Sequence, residues 1–363
     1  MCPDEIDFLP LGMDDDERSF YDENKVNINM QIGMIEREAQ ERAKLDHCYY
    51  CNEPATSFCN SHSVPKFCLR RIAVDGQLFF ANTLIDLPYL KEEQGVNKAG
   101  TFQLICRKCD GRIFQQYEDP NAYDSLPNGQ VLAQIAMKNH LQMIAKRLTE
   151  RQLYRLLVER NPLVGLWFAK EQQKVIDLDL GEYEYAMCRA KVGARGKRTN
   201  YYRMVFYRKL NYTVPIAFQG EITMISDFEK KTINETFNKD NRYRTEPLHI
   251  AIFPLERASV VMAFVDSRCK RYKRFEEQLK QLDSDDQLLA IQFIVMSYSE
   301  NVFYSKSLKG VFQSNEQLAT VSRMNSMVMT DRLHANVQPV ANAEFDLSKR
   351  NTIPNLLTLQ YAI

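Results

Sequence analysis

The chain has 363 residues, and its 47 Lys plus Arg balance 47 Asp plus Glu, so no global field draws it toward nucleic acid or membrane. Its 45% hydrophobic and 26% charged residues are those of a globular protein long enough for two or three domains. No run reaches the roughly 18 apolar residues of a membrane span, and nine unevenly spaced cysteines do not make a secreted disulfide scaffold, so a cytoplasmic, reducing location is expected.

Residues 1–45 read as an acidic arm and a lead-in helix. Asp14-Asp15-Asp16-Glu17 lies in a segment without periodicity or the basic and apolar regions of a signal peptide, and residues 1–25 are expected to form a mobile arm or a loosely docked lid. Met30, Ile32, Met34, Ile35 and Ala39 then recur near helical spacing.

Residues 46–120 carry the strongest motif. Cys48-Tyr49-Tyr50-Cys51 and Cys106-Arg107-Lys108-Cys109 each bring two thiolates onto one turn, and two such pairs supply the four soft ligands of a structural Zn²⁺ site. Between them, Ala55 to Cys59 reads as a strand pairing with a return strand near His62 to Val64. Pro65 precedes a short helix, and Asp75-Gly76 marks a turn into a strand from Gln77 to Leu84. Leu90 to Gly100 reads as a polar loop and Phe102 to Ile105 as a strand. A helix is expected from Asp110, an N-cap residue type, with Ile113, Phe114 and Tyr117 on one face. Knuckle, hairpin, second knuckle and helix make a treble-clef order. His47 could replace one thiolate, although four cysteines make this unnecessary; Cys59 and Cys68 read as core.

Residues 121–180 read as a helical connector. A long helix from Gly129 to about Val158, with a break near Thr149, is stopped by Asn161-Pro162 and followed by a second helix over 163–175. Residues 181–335 read as a mixed α/β C-terminal domain. Its pattern is β from Tyr183 to Phe264, with strands at 201–208, 214–218, 248–253 and 260–265. Helices follow at 267–281, 286–298 and 315–327. Residues 336–363 form an irregular tail. The expected class is α+β: an N-terminal zinc treble clef, a helical connector and a C-terminal mixed α/β domain.

The order Cys48/Cys51, Ser61-His62 with Pro65, Cys106/Cys109-Asp110, then Tyr117-Glu118, resembles the HNH (ββα-metal) nuclease superfamily over roughly 75 residues, and bacterial proteins with this same motif order in particular. The resemblance implies a metal-dependent endonuclease, with phage defence as a setting. His62 would be the general base, and Asp110 with Glu118 would hold a catalytic Mg²⁺ or Mn²⁺. Asn82 or Asn97 would serve as the middle asparagine. Ser61 stands where active members place an aspartate, and Asp110 where they place His or Asn. The alternative is a non-catalytic zinc module that binds nucleic acid or a partner protein, with a homo-oligomer also open.

Outside the motif, Arg189, Lys191, Arg195, Lys197, Arg198, Arg203, Arg208 and Lys209 interleave with Tyr201, Tyr202 and Tyr207. Cations neutralise phosphates and aromatic faces stack on bases, so Arg195, Lys197, Arg198, Tyr201, Tyr202 and Arg203 are candidate nucleic-acid contacts. A solvated hairpin face is the plainer alternative. The basic run Arg268 to Arg274 reads as an exposed helix face. Glu221 lies near a strand end without an evident acid/base partner, and His249 and His334 stand alone and read as structural.

Overall fold

The computed structural model describes residues 7–9, 23–24, 30, 33–81, 90–160, 162–238, 240, 242–299, 301–322, 324, 328–330 and 338–363. The chain is mixed α/β. Asp7–Leu9 (β1) precedes a helix over 33–42 (α1); then come Ser61–His62 (β2), Lys66–Ile72 (α2), Gln77–Ala81 (β3), Leu90–Gly95 (β4), Thr101–Phe102 (β5) and Arg107–Ile113 (α3). Two long helices, Gly129–Arg160 (α4) and Pro162–Ala194 (α5), lead into Tyr202–Leu210 (β6), Ile216–Ile222 (β7), Leu248–Pro254 (β8) and Ser259–Asp266 (β9). Lys273–Gln281 (α6), Ser284–Tyr298 (α7), Val302–Tyr304 (β10), Lys309–Ser314 (α8), Glu316–Val321 (α9), Val328–Thr330 (β11) and Gln338–Glu344 (α10) complete the order.

Seven strands form one antiparallel sheet in the order β4-β3-β10-β7-β8-β9-β6. Alternate residues serve two apolar layers. Ile250 and Ile252 of β8 face α6, α7, α9 and the C-terminal residues Leu347, Leu356 and Leu357. Ala251 and Phe253 face the cysteine segment, α2, α4 and the end of α5. Because both faces are covered, β8 is buried at every position and reads as a nearly continuous apolar run.

The cysteine segment is joined to this sheet rather than set apart from it. β3 pairs with β10, and Ser63 donates to Asn301, whose amide in turn donates to the Gln219 carbonyl at 3.1 Å. Gly100 sits at φ +60°, and a Cβ there would come within 2.5 Å of Phe303 on β10. The sheet therefore runs across the boundaries read at 120 and 181.

Several expectations are corrected. The hairpin over 55–64 does not form: β2 pairs with β5, and the Cys59 N–H donates to the Ile105 carbonyl. The two knuckles bring the second cysteine segment alongside the first, and its carbonyls take the place of a local partner. Residues 90–95 are a strand, not a loop, and this strand, β4, lies at the sheet edge. α3 starts at Arg107 with Cys106 at its N-cap, three residues before Asp110. α4 passes through Thr149 unbroken, with the hydroxyl bonded back to the Ala145 carbonyl. Residues 183–194, expected as β, extend α5, because Tyr183, Met187, Ala190 and Ala194 recur at helical spacing against the core. The tail is helical over Gln338–Glu344 and Leu347–Thr352 and buries Leu347, Leu356 and Leu357. Of the acidic arm, Asp7–Leu9 pairs with β11; most of it, like Asn82 and His334, lies outside the described residues.

Candidate metal centre and basic rim

Each cysteine pair is held by its own backbone. Asn52, in the left-handed region at φ 60°, donates its N–H to the Cys48 carbonyl, and the Cys48 N–H donates to Glu53. In the second pair the N–H groups of Cys109 and Asp110 converge on the Cys106 carbonyl. The Cys106 N–H donates to the Cys48 sulfur at 3.3 Å, which locks the two turns together. One ligand atom from each of Cys48, Cys51, Cys106 and Cys109 lies within 4.8 Å of the others. Burial opposes ionisation of Cys48, yet the backbone N–H groups of Cys106, Cys51 and Tyr50 bring its thiol down to about 7. Burial and the neighbouring Cys106 and Cys51 push the Cys109 thiol far up. Four sulfurs this close cannot all be anions without a cation between them, so the set fits a divalent metal, and its all-thiolate chemistry suits zinc. His47 is no part of it; its Nδ1 contacts Asp46 at 2.7 Å.

Asp110 and His62, expected to act together, have different hydrogen-bond partners. Ser61 Oγ donates to Asp110 Oδ1 at 2.6 Å, and Lys138 Nζ donates to the same oxygen at 3.0 Å. The Lys138 side chain has no exposed surface and lies 3.9 Å from the centre of the Phe114 ring. Burial opposes the Asp110 charge, but Lys138 and Ser61 hold the carboxyl below its usual range. Glu118 is raised by burial and by the Asp110 charge, with Lys138 at 3.5 Å. The half-buried ring of His62 contacts the Val96 carbonyl through Nε2 at 3.1 Å, and burial followed by the nearby Lys66 and Lys138 charges lowers its pKa. Asn97 lies in the turn after β4. Asp110 is thus engaged inside the protein by Lys138, a residue the sequence reading did not single out. The available signal was a lysine midway between Ile135 and Leu141 on the apolar stripe of α4.

The basic segment is the end of α5, a turn and strand β6, which pairs with β9 and so makes no local hairpin. Arg189 pairs with Asp266 at 2.7 Å and covers the Tyr201 ring at 4.0 Å. Arg203 pairs with Glu276 at 2.5 Å, Arg208 binds Gln287 and the Ser284 carbonyl, and Lys209 binds Asp124. Tyr202 is buried edge-on against Phe264 and His249 and offers no face to a base. What projects outward is Arg195, Lys197 and Arg198. Arg195 donates to the Tyr50 hydroxyl and lies 5.1 Å from that ring, and Lys191 lies 5.3 Å from it. Gly193 permits the close crossing of α5 and α4, since a Cβ there would meet the Cβ of Ala133 at 2.6 Å. In the Arg268 to Arg274 run, Arg274 pairs with Asp227 and Glu229, and Arg268 with Asp266. His249 is not alone: it stands near His140 and Glu221, between α4 and the sheet.

Among the described residues, no helix is long and apolar enough to cross a membrane. Compared with models of known families, with curated proteins and with solved structures, the chain matches none of them.

Proposed function

We propose that the chain is a nucleic-acid-binding protein with a structural zinc of the treble-clef kind, and that its binding surface is the basic rim at the end of α5. The observation that carries this reading is the seating of Arg195 and Lys191 on Tyr50, a residue inside the first cysteine pair. Zinc at four thiolates has no open coordination position and serves to rigidify. It would fix the knuckle, the knuckle fixes Tyr50, and Tyr50 braces Arg195. Exposed Lys197 and Arg198 continue the rim, and exposed Arg107 and Lys108 project from the second knuckle. Such a cluster attracts phosphates by displacing counterions. The β2–β5 pair and the start of α3 within the second knuckle support the treble-clef assignment.

The test is fluorescence anisotropy of labelled single-stranded and duplex DNA and RNA of mixed sequence. Binding that weakens steeply with salt is expected. Absence of binding at low salt would leave a partner protein as the ligand of this surface.

A second reading, the HNH-like metal-dependent endonuclease of phage defence, is favoured by the state of His62. Its lowered pKa and the Val96 contact at Nε2 leave a neutral imidazole with Nδ1 as the basic nitrogen, as a general base requires. The engagement of Asp110 by Lys138 weighs against a Mg²⁺ or Mn²⁺ site there. Nicking of supercoiled plasmid with either ion, abolished by His62→Ala, would establish it.

A further inference from the structure

Beneath α4 lies a second group of ligand-type side chains, unrelated to the thiolates. Glu221 on β7 and His249 on β8 are directly opposite each other in the ladder. His140 descends from α4 onto the same face, and one ligand atom from each of the three residues lies within 4.8 Å of the others. Nδ1 of His140 is 2.5 Å from Oε2 of Glu221, and Nδ1 of His249 is 3.9 Å from the same oxygen. These separations bracket the edge of roughly 3.3 Å expected for a tetrahedron with bonds of about 2.0–2.1 Å.

The polar groups are left without ordinary partners. Both carboxylate oxygens of Glu221 and Nδ1 of His140 are buried and form no hydrogen bond, so the short contact is proximity without hydrogen-bond alignment. The Glu221 side chain is 3% exposed, and among the described residues no Lys or Arg pairs with it. Its neighbours His140 and His249 are each 2% exposed. A buried carboxylate without a cation carries a large desolvation penalty. The Asn139 amide nitrogen contacts that same Nδ1 of His249 at 3.2 Å, and Gln219 donates to the Asn139 amide oxygen at 2.8 Å; a metal held at Nδ1 would take the place of the Asn139 contact. The side-chain amide oxygen of Gln219, Oε1, also buried and without a hydrogen-bond partner, is one more oxygen donor on the same face of β7.

We infer that His140, Glu221 and His249 form a second metal site, binding one divalent transition-metal ion of the zinc class and pinning α4 to the sheet. Two imidazoles and one carboxylate suit Zn²⁺ or Co²⁺ better than Mg²⁺ or Ca²⁺, which prefer all-oxygen shells. Its depth makes it structural, with no approach for a substrate. The site is independent of any nucleic-acid binding.

The experiment is metal analysis of the full chain after zinc loading and gel filtration, with cobalt substitution in parallel. Two equivalents per chain are expected. One should give the thiolate-to-cobalt charge-transfer absorption of a cysteine site, and the other should lack it. Glu221→Gln and His249→Gln should each remove the second equivalent and leave the thiolate absorption unchanged. A wild-type protein that takes up only the thiolate-bound equivalent overturns the inference, whether or not the variants fold. So does a folded Glu221→Gln protein that retains both.

Discussion

Asp110 Oδ1 accepts hydrogen bonds from both Lys138 Nζ, at 3.0 Å, and Ser61 Oγ, at 2.6 Å, inside the layer that joins the cysteine segment to α4. Two charges in a poorly solvated place are tolerated only as a pair. Removing one partner strands the other. Lys138→Met is expected to lower stability by about 3–5 kcal/mol, whereas Lys138→Met combined with Asp110→Asn should recover part of the loss. Urea denaturation of the two singles and the double reads the coupling directly. An additive double mutant would mean that the two side chains act separately.

Zinc removal should be felt in the sheet as well as in the knuckles. β3 belongs to the sheet through β10, and Ser63 bonds Asn301 across the same junction. Metal-ligand binding energy in such sites is folding energy. Chelation, or Cys109→Ser, should therefore speed amide hydrogen exchange in residues 48–113 and also in Val302–Tyr304. The central strands β8 and β9 should keep their protection. Exchange confined to residues 48–113 would describe an independent zinc module instead.

His62 supplies a pH signature. Its folded-state pKa is lowered, by burial first and then by the Lys66 and Lys138 charges, so the unfolded chain takes up the proton more readily. The neutral ring's contribution is complete above the unfolded value of about 6.5 and is lost as pH falls from there through the folded value. His62→Gln keeps a donor for the Val96 carbonyl and removes the titration. The difference in melting temperature between wild type and variant should therefore change between about pH 7 and about pH 5, in the direction that favours the variant at low pH. The depressed affinity of His249 acts in both proteins and cancels. A constant difference over this range would remove His62 as a titrating group.

Local chemistry was legible where spacing alone specifies it. The two Cys-x-x-Cys pairs converge as their spacing implies, and the four β-rich runs became β6 to β9 because β-branched and aromatic residues suit a sheet buried on both faces. What sequence distance hides is pairing. β2 finds β5 rather than a neighbour, Glu221 and His249 meet only through the β7–β8 register, and α4 carries His140 to both. Lys138 and His140 sat within an apolar helix stripe, where a polar residue must have a distant partner, but nothing in the string names that partner.

The basic rim gives the sharpest contrast between residues of the same type. Arg195, Lys197 and Arg198 are exposed on the turn beyond α5, while Arg203, only a few residues on, is half-buried against Glu276 on α6. If the rim binds phosphates, replacing Arg195, Lys197 and Arg198 together by Ala should weaken nucleic-acid binding and reduce the slope of log affinity against log salt by up to about 2.7 for duplex DNA, about 0.9 for each lost phosphate contact. Lys197→Ala and Arg198→Ala should hardly change the melting temperature, since such surface substitutions fall within about 0.5 kcal/mol, while Arg195→Ala also gives up its bond to the Tyr50 hydroxyl. Arg203→Ala should do the reverse, lowering stability by leaving Glu276 with Lys280 as its remaining ion-pair partner while leaving the salt slope unaltered. Anisotropy titrations at several salt concentrations and thermal melts of both variants separate the two roles. A triple variant with the wild-type slope would remove the rim as the binding surface, and a shallower slope in Arg203→Ala would move that surface onto the sheet edge at β6.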